Sequence, residues 1–340
     1  MLERRFHWMK LSILDQVPRS SESTNEIALK ETADLALAAE NLGYHRYWIA
    51  EHHDLDALLS PSPEILIAYI GAKTYSIRLG AGAILLPHYK PYKVAENFNM
   101  LANLFPGRID LGLGRSPGGS AEASEALSEN FIENVHQMDE KTETLMHFLR
   151  RDFPEAHRFS TLKAAPVPYE KPQVFMLGTS EKSAHLASKH NLNYVYGHFM
   201  NNENGKHVLN AYRNKKEDGQ AFACVSVLCA DTQEEAELLQ RSVRVWQAFH
   251  SMNQPIGAIP TKSEAAYLLN QLDTKTREQI EKSDSTTIVG DKTTVKAKLD
   301  ELSEALQLEE LMVVTHAPEL RDRLHSYRLL TEIYPQLVSL

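Results

Sequence analysis

Residues 44–53 read Tyr44-His45-Arg46-Tyr47-Trp48-Ile49-Ala50-Glu51-His52-His53, and this stretch gives the first indication of the fold. Its first seven residues are mostly apolar or aromatic, as in a buried strand, whereas its last three are ionisable. In parallel α/β folds the carboxyl ends of the strands open into the crevice that the connecting loops surround. The stretch therefore predicts a buried parallel strand whose end contributes side chains to a functional site.

The same order of strand and then helix repeats along the chain. The predicted strands cover residues 11–14, 44–50, 78–86, 108–113, 173–177, 193–196, 222–229 and 311–314. Helical sequence follows each one, and in the last unit Val295, Leu299 and Leu306 share one apolar face. An open sheet of eight strands would leave two edges to protect. The repeat therefore predicts a member of the α/β class, a (β/α)8 TIM barrel with insertions.

The length of 340 residues allows two or three domains, but barrels of this kind are single domains of comparable size. We expect one barrel domain over residues 9–340, with residues 1–8 as an N-terminal extension. The segment 231–290 is too long for one helix, and its loop-forming residues include Pro255, Gly257 and Pro260. Two interpretations of this segment stay open: a mobile lid over the site, or a structural insertion.

Composition excludes several classes of protein. The formal net charge is −9 and no basic stripe is present, which argues against a nucleic-acid partner. No apolar run reaches the roughly 18 residues of a membrane span, and residues 1–7 lack the apolar core of a signal peptide. Cys224 and Cys229 lie five residues apart on a predicted strand, so they face opposite sides and cannot pair. We expect a cytoplasmic protein without a membrane partner.

The two histidines that end the second strand do not predict a metal site. Adjacent side chains of a strand point to opposite faces, so His52 and His53 cannot easily share a metal ion, and zinc needs three convergent ligands. Either Trp48, Ala50 and His52 face the barrel interior, or Ile49, Glu51 and His53 do, and spacing alone leaves both open. A histidine here can exchange a proton near neutral pH, or it can simply cap backbone groups.

Two further strand ends have the composition of an anion site. The run 112–119 is rich in glycine, which leaves backbone amides free, and Arg115 offers a planar fork for a phosphate. Gly178-Thr179-Ser180, with Ser183 one turn later, combines amides, hydroxyls and the start of a helix. Each alone has an ordinary interpretation, as a linker and as a helix cap. Together they predict a phosphate site.

These strand ends, in this order, resemble those of the bacterial luciferase-like family of flavin-dependent oxidoreductases. The similarity extends over most of residues 9–335, in the segments 11–16, 47–53, 80–87, 106–119, 174–183 and 287–298. The resemblance implies a luciferase-like barrel, FMN as the cofactor, and a homodimer packed through helices of the second and third units. Gly114 stands where the luciferase α subunit has a reactive cysteine, so neither light emission nor a long-chain aldehyde substrate is implied.

The resemblance also assigns roles to individual residues. His52 matches the catalytic histidine, and Glu51 and His53 are expected to support it. The residues matched to flavin binding are Gly82 and Ala83 beside the ring, where a non-proline cis peptide is expected, Arg115, Ser180 and Ser183 at the phosphate, Gly178 and Thr179 in the same turn, and His198 as a bulky ring near the flavin.

The implied activity is that of a two-component monooxygenase. It takes FMNH2 from a separate flavin reductase and uses O2 to oxygenate a small organic substrate through a flavin C4a-peroxide. One alternative is a hydride-transfer oxidoreductase that uses the deazaflavin F420, but no basic cluster suits that cofactor's polyglutamate tail. Another is a non-catalytic flavin-binding protein, which would not need His52 as a proton relay.

Overall fold

The computed structural model describes residues 9–216, 218–252, 254–283 and 286–336, so the expected extension 1–8 lies outside the described residues. Its strands are β1 Lys10–Asp15, β2 Arg46–Ile49, β3 Arg78–Leu85, β4 Ile109–Gly114, β5 Gln173–Gly178, β6 Asn193–Gly197, β7 Ala221–Cys229, β8 Ile288–Gly290 and β9 Glu310–Val314. Every predicted strand is present. The second is shorter than predicted, because only residues 46–49 pair with a neighbouring strand.

Eight of these strands close into a parallel barrel. Strands β1 to β7 pair in sequence order, and β9 joins the two ends by pairing with β7 and β1. The short strand β8 pairs with the end of β7 and lies outside the closed ring. The predicted (β/α)8 barrel is confirmed.

The helices form an outer ring with two insertions. They are α1 Asn25–Asn41, α2 Pro63–Gly71, α3 Pro91–Leu104, α4 Ala121–Leu127, α5 Phe131–His136, α6 Met138–Arg150, α7 Glu181–Lys189, α8 Gly205–Arg213, α9 Gln233–Ser251, α10 Lys262–Gln271, α11 Thr274–Glu281, α12 Lys292–Leu306 and α13 Leu320–Ile333. The ring consists of α1, α2, α3, α6, α7, α8, α12 and α13. The two insertions are α4 with α5, and α9 to α11. Residues 121–150 form three successive helices, α4 to α6, with breaks at polar Ser128 to Asn130 and at Gln137.

Side chains of alternating strand positions fill the barrel. The interior cluster consists of Leu14, Trp48, Ala50, Phe175, Val195, Phe222, Cys224, Met312 and Val314. Trp48 and Ala50 therefore face inward, and Tyr47 and Ile49 pack against the helices. The open question of parity is settled in favour of His52. Gly80 makes room for the indole, since a Cβ there would lie 2.6 Å from Trp48 Nε1.

A buried cluster of charges closes the amino end of the barrel. Arg46 contacts Asp110 at 2.7 Å and Glu310 at 2.9 Å, and Arg78 contacts the other oxygen of Asp110 at 2.5 Å. Trp48 Nε1 also donates to Asp110, at 3.0 Å. Removing one partner of such a cluster leaves an unpaired buried charge, which costs about 3–5 kcal/mol. Since this end is filled, ligands enter the barrel from its carboxyl end.

Candidate functional site at the carboxyl end of the barrel

A cavity of about 980 Å³ opens at the carboxyl ends of the strands. Its floor is the top of the barrel core and includes Leu14, Ala50, Val195 and Cys224. Ligand pockets commonly have volumes of about 300–1,000 Å³. The cavity is therefore large enough for an extended cofactor.

His52 lines this cavity, one inward step beyond Ala50. Its backbone N–H donates to Ser60 O at 3.0 Å. Its ring atom Nδ1 is buried and has no hydrogen-bond partner among the described residues. Burial, with smaller contributions from His316 and His53, lowers the pKa of His52 to about 4. At neutral pH the ring is thus an uncharged base with a free nitrogen in a cavity.

Glu51 and His53 bind each other rather than the ring of His52. His53 Nε2 donates to Glu51 Oε1 at 2.8 Å, Tyr89 OH donates to the same oxygen at 2.8 Å, and the N–H of Leu85 donates to Oε2 at 2.9 Å. The expected support of His52 by these two residues therefore does not come from hydrogen bonds to its ring. These two residues join the end of β2 to the end of β3 and to the glycine-rich run, because the N–H of His53 donates to Gly118 O at 2.9 Å.

The glycine-rich run forms one wall of the cavity. Gly119 passes so close to β2 that a Cβ would lie 2.0 Å from His53 O, and this approach requires glycine. Arg115 lines the cavity with an exposed side chain. The guanidinium forms no hydrogen bond or ion pair within residues 9–216 or the other described ranges. Its fork is therefore free for an anionic ligand.

The end of β5 supplies the opposite wall, where Gly178, Thr179 and Ser183 line the cavity. Ser180 caps α7: its hydroxyl accepts from the N–H of Ser183 at 3.4 Å, and Ser183 Oγ donates to Ser180 O at 2.6 Å. The ordinary interpretation as a helix cap is thus realised. The start of α7 still faces the cavity beside Gly178, where a Cβ would lie 2.3 Å from Ser183 Oγ.

The remaining predicted flavin-binding residues differ in their positions. Gly82 and Ala83 line the cavity, and the peptide bond between them is cis, as the resemblance implied. His198 does not line the cavity in the described structure; its ring lies 6.5 Å from that of Tyr196. Phe199, the next residue, lines the cavity instead. Because His198 and Phe199 follow the last residue of β6, parity beyond the strand could not distinguish them.

The loop before α10 closes one side of the cavity. Pro255, Ile256 and Gly257 line it, as do Trp246 and His250 of α9. The side chain of Arg19 donates to Gly257 O and, at 3.3 Å, to Asp56 O. The backbone also joins these loops, because the N–H of Ile259 donates to Arg19 O at 2.9 Å. The sequence predicted this loop but not its hydrogen bonds to Arg19.

Sequence reasoning also missed Gln16 and His316. Gln16 follows the last residue of β1 and lines the cavity, and His316 lies two residues beyond β9. The inward parity of Leu14 and Val314 could have identified both.

The cavity, its histidine and its free arginine agree with one family. A model of luciferase-like monooxygenases matches residues 9–308. The chain belongs to the luciferase-like monooxygenase family. The resemblance seen in the sequence is thereby confirmed. None of the described helices is long and apolar enough to cross a membrane.

Two Bacillus subtilis relatives align over nearly their whole length. The uncharacterized protein YwcH is 42% identical over 332 residues, which cover 96% of this chain and 99% of YwcH. N-acetyl-S-alkylcysteine monooxygenase is 35% identical over 329 residues, which cover 95% of this chain and 98% of the relative. The chain is therefore similar to a monooxygenase named for a thioether substrate.

Two solved structures share the architecture. The crystal structure of apo-MsnO8 has a TM-score of 0.87 and 32% identity, and the match covers 97% of this luciferase-like chain and 99% of MsnO8. The oxygenating constituent of 3,6-diketocamphane monooxygenase from Pseudomonas putida, in complex with FMN, has a TM-score of 0.70 and 21% identity, with 97% and 98% of the chains covered. The second likeness shows the fold alone.

Proposed function

We propose that this protein is the oxygenase of a two-component flavin monooxygenase. It takes reduced FMN from a separate reductase and inserts one oxygen atom of O2 into a small organic substrate. The observation that carries the proposal is that His52 and Arg115 line the same cavity. Neither Nδ1 of His52 nor the guanidinium of Arg115 has a hydrogen-bond partner among the described residues. When bound, reduced FMN supplies the electrons that activate O2.

The residues of the cavity fit FMN. Arg115, the hydroxyl of Thr179 and the amino end of α7 are donors suited to a phosphate. Gly178 packs so closely on Ser183 that only glycine fits, so no side chain at this position takes up space. Gly82 and Ala83 offer a flat apolar surface for a ring.

The proposed roles of the other residues follow from their positions. His52 holds or accepts a proton at its free nitrogen beside the reacting atoms. Phe199, rather than His198, supplies the bulky ring. The loop with Pro255 and Gly257 acts as the lid that excludes water. Residues 9–340 form one barrel domain, into which the segment 231–290 is inserted.

The proposed substrate is small and largely apolar. Most of the exposed surface of the cavity is apolar, with Trp246, Phe199 and Ile256 among its lining residues, whereas Asp54, Asp56 and His250 add polar groups in addition to Arg115. Because a relative is named for N-acetyl-S-alkylcysteines, thioethers of this type are the first class to test.

The test is oxygen transfer. Protein, a flavin reductase, FMN and NADH are incubated under ¹⁸O2 with N-acetyl-S-benzylcysteine, simple sulfides, ketones and aldehydes. Products are analysed by mass spectrometry. One labelled oxygen atom in a product supports the proposal, and it should be lost in His52→Ala, which still binds FMN. Absence of FMN binding, or tight binding of F420 in its place, contradicts it.

Arg115→Ala tests the phosphate site separately. Loss of charged hydrogen bonds worth about 1.5–3 kcal/mol weakens FMN binding about 10- to 150-fold. Arg158→Ala, which removes an exposed arginine outside the cavity lining, is the matched control. Equal dissociation constants for the two variants contradict the assignment.

We also propose a homodimer in a reducing, cytoplasmic compartment. Ile65 on α2 is 67% exposed, and Met100 and Leu104 on α3 are 49% and 59% exposed, so neighbouring helices of the second and third units present apolar side chains. Cys224 and Cys229 are both free and buried, which supports the reducing compartment.

A further inference from the structure

Gln16 lines the floor of the cavity and forms a polar pair with His316 behind it. The pairing of β1 with β9 matches Ile13 to Val313, and the same register places Gln16 beside His316. Both follow inward-facing residues of the barrel core. Gln16 is only 9% exposed, and the surface that remains lines the cavity.

The amide of Gln16 turns its oxygen toward His316. His316 Nε2 is hydrogen-bonded to Gln16 Oε1. Burial lowers the pKa of His316 to about 4, so its ring is neutral at pH 7 and carries one N–H. An amide oxygen only accepts, so His316 donates. The NH2 group of Gln16 has no partner among the described residues and needs an acceptor in whatever fills the cavity.

The chain is held tightly where Gln16 leaves β1. The next residue, Val17, has a φ of 52°, which is unfavourable for a β-branched residue. Its N–H donates to Asp15 Oδ1 at 2.9 Å. The other oxygen of Asp15 accepts from Thr32 at 2.6 Å and from Tyr47 at 2.5 Å. Unfavourable backbone held in this way is common at ligand sites, where it fixes one side chain.

The position of Gln16 suits the far edge of a flat ligand. Strands β1, β2 and β3 are neighbours, with Ile13 opposite Tyr47 and Trp48 opposite Gly80. At about 4.8 Å between strands, β1 lies about 10 Å from β3, which is comparable with the length of three fused rings. A ring system against Gly82–Ala83 on β3 would therefore reach β1.

We propose that the amide of Gln16 donates a hydrogen bond to a carbonyl oxygen or ring nitrogen at the edge of the flavin. The inference rests on the proposed function, since it requires FMN in this cavity.

Gln16→Glu is the informative variant, because the carboxylate still accepts from His316 but donates nothing and adds a negative charge. FMN dissociation constants from flavin fluorescence should rise about tenfold. The midpoint potential of bound FMN should fall, by about 30 mV for each tenfold loss in preference for the reduced form. Gln279→Glu, an exposed change on α11, is the control and should alter neither quantity.

The possible outcomes separate this inference from the proposed function. If the wild type binds FMN and Gln16→Glu binds it with the same constant and potential, the inference is wrong and the function stands. If the wild type binds no FMN, both are wrong. Should Gln16→Glu fail to fold, Gln16→Met replaces it, and an unchanged FMN dissociation constant in that variant is equally decisive.

Discussion

Replacing Glu51 by glutamine tests whether the end of β2 organises the walls of the cavity. The carboxylate is completely buried and accepts three hydrogen bonds, from His53, Tyr89 and the backbone of Leu85. Glutamine has the same shape, but one of its two oxygens becomes an NH2 group. If the amide oxygen keeps His53 and Tyr89, the NH2 group faces the N–H of Leu85.

The expected loss follows from these three contacts. An unsatisfied buried N–H costs about 1–3 kcal/mol. The other two hydrogen bonds change from charged to neutral acceptors, and each loses about 1 kcal/mol. We expect the free energy of unfolding of Glu51→Gln to fall by about 3–5 kcal/mol, a large part of the 5–15 kcal/mol of a typical protein.

Equilibrium unfolding in urea, followed by the fluorescence of buried Trp48, measures this change. If the free energy of unfolding falls by about 3 kcal/mol per M of urea, the urea concentration at the unfolding midpoint should fall by about 1 M or more. The control is Glu332→Gln, whose partner Lys292 lies 2.7 Å away at the surface, with both side chains about half exposed. Exposed pairs contribute about 0–1 kcal/mol. Equal midpoints for the two variants would show that the buried carboxylate of Glu51 contributes no more to stability than an exposed one.

Three further predictions follow from the cavity and its surroundings. Burial lowers the pKa of both His52 and His316 from 6.5 to about 4, so the unfolded chain binds more protons between these values. Stability should therefore fall as the pH drops from 6.5 to 4, by up to about 3 kcal/mol per pH unit, and urea midpoints that stay constant over this range contradict it. Arg19→Ala removes the hydrogen bond that holds the loop at Gly257, so hydrogen exchange of residues 254–260 should accelerate while the free energy of unfolding in urea changes by less than about 1 kcal/mol, and unchanged exchange would show that the backbone bonds suffice. Ile65→Glu places a charge in the proposed dimer surface, and sedimentation should show a shift from dimer to monomer; a variant that sediments like the wild type argues for another interface.

The barrel could be predicted from the sequence because its signal is local. Each strand is a short apolar run with a helix after it, and the strand ends are marked by glycine, histidine or serine. Closure then brings the ends together, so the placement of His52, Arg115 and Gly178 around one cavity needed no knowledge of side-chain packing.

The contacts that could not be predicted join distant positions. Arg46 and Glu310 are 264 residues apart, and Gln16 and His316 are 300 apart. Neither pair has a local pattern, because each depends on barrel closure and on register. The same limit applies to His198, whose direction was set by the chain after β6 rather than by strand parity.

The direct pairing of β7 with β9 closes the barrel without a strand from the chain between them. Helices α9 to α11 and the loop at 254–261 leave the ring and return to it through β8, which pairs with the end of β7 outside the closed ring. Trp246, His250 and Ile256 belong to this excursion, whereas His52 and Arg115 do not. We therefore expect that this segment can be exchanged as a unit between relatives. Chimeras that take residues 231–287 from YwcH would change the substrate-facing wall and leave the proposed FMN cradle as it is.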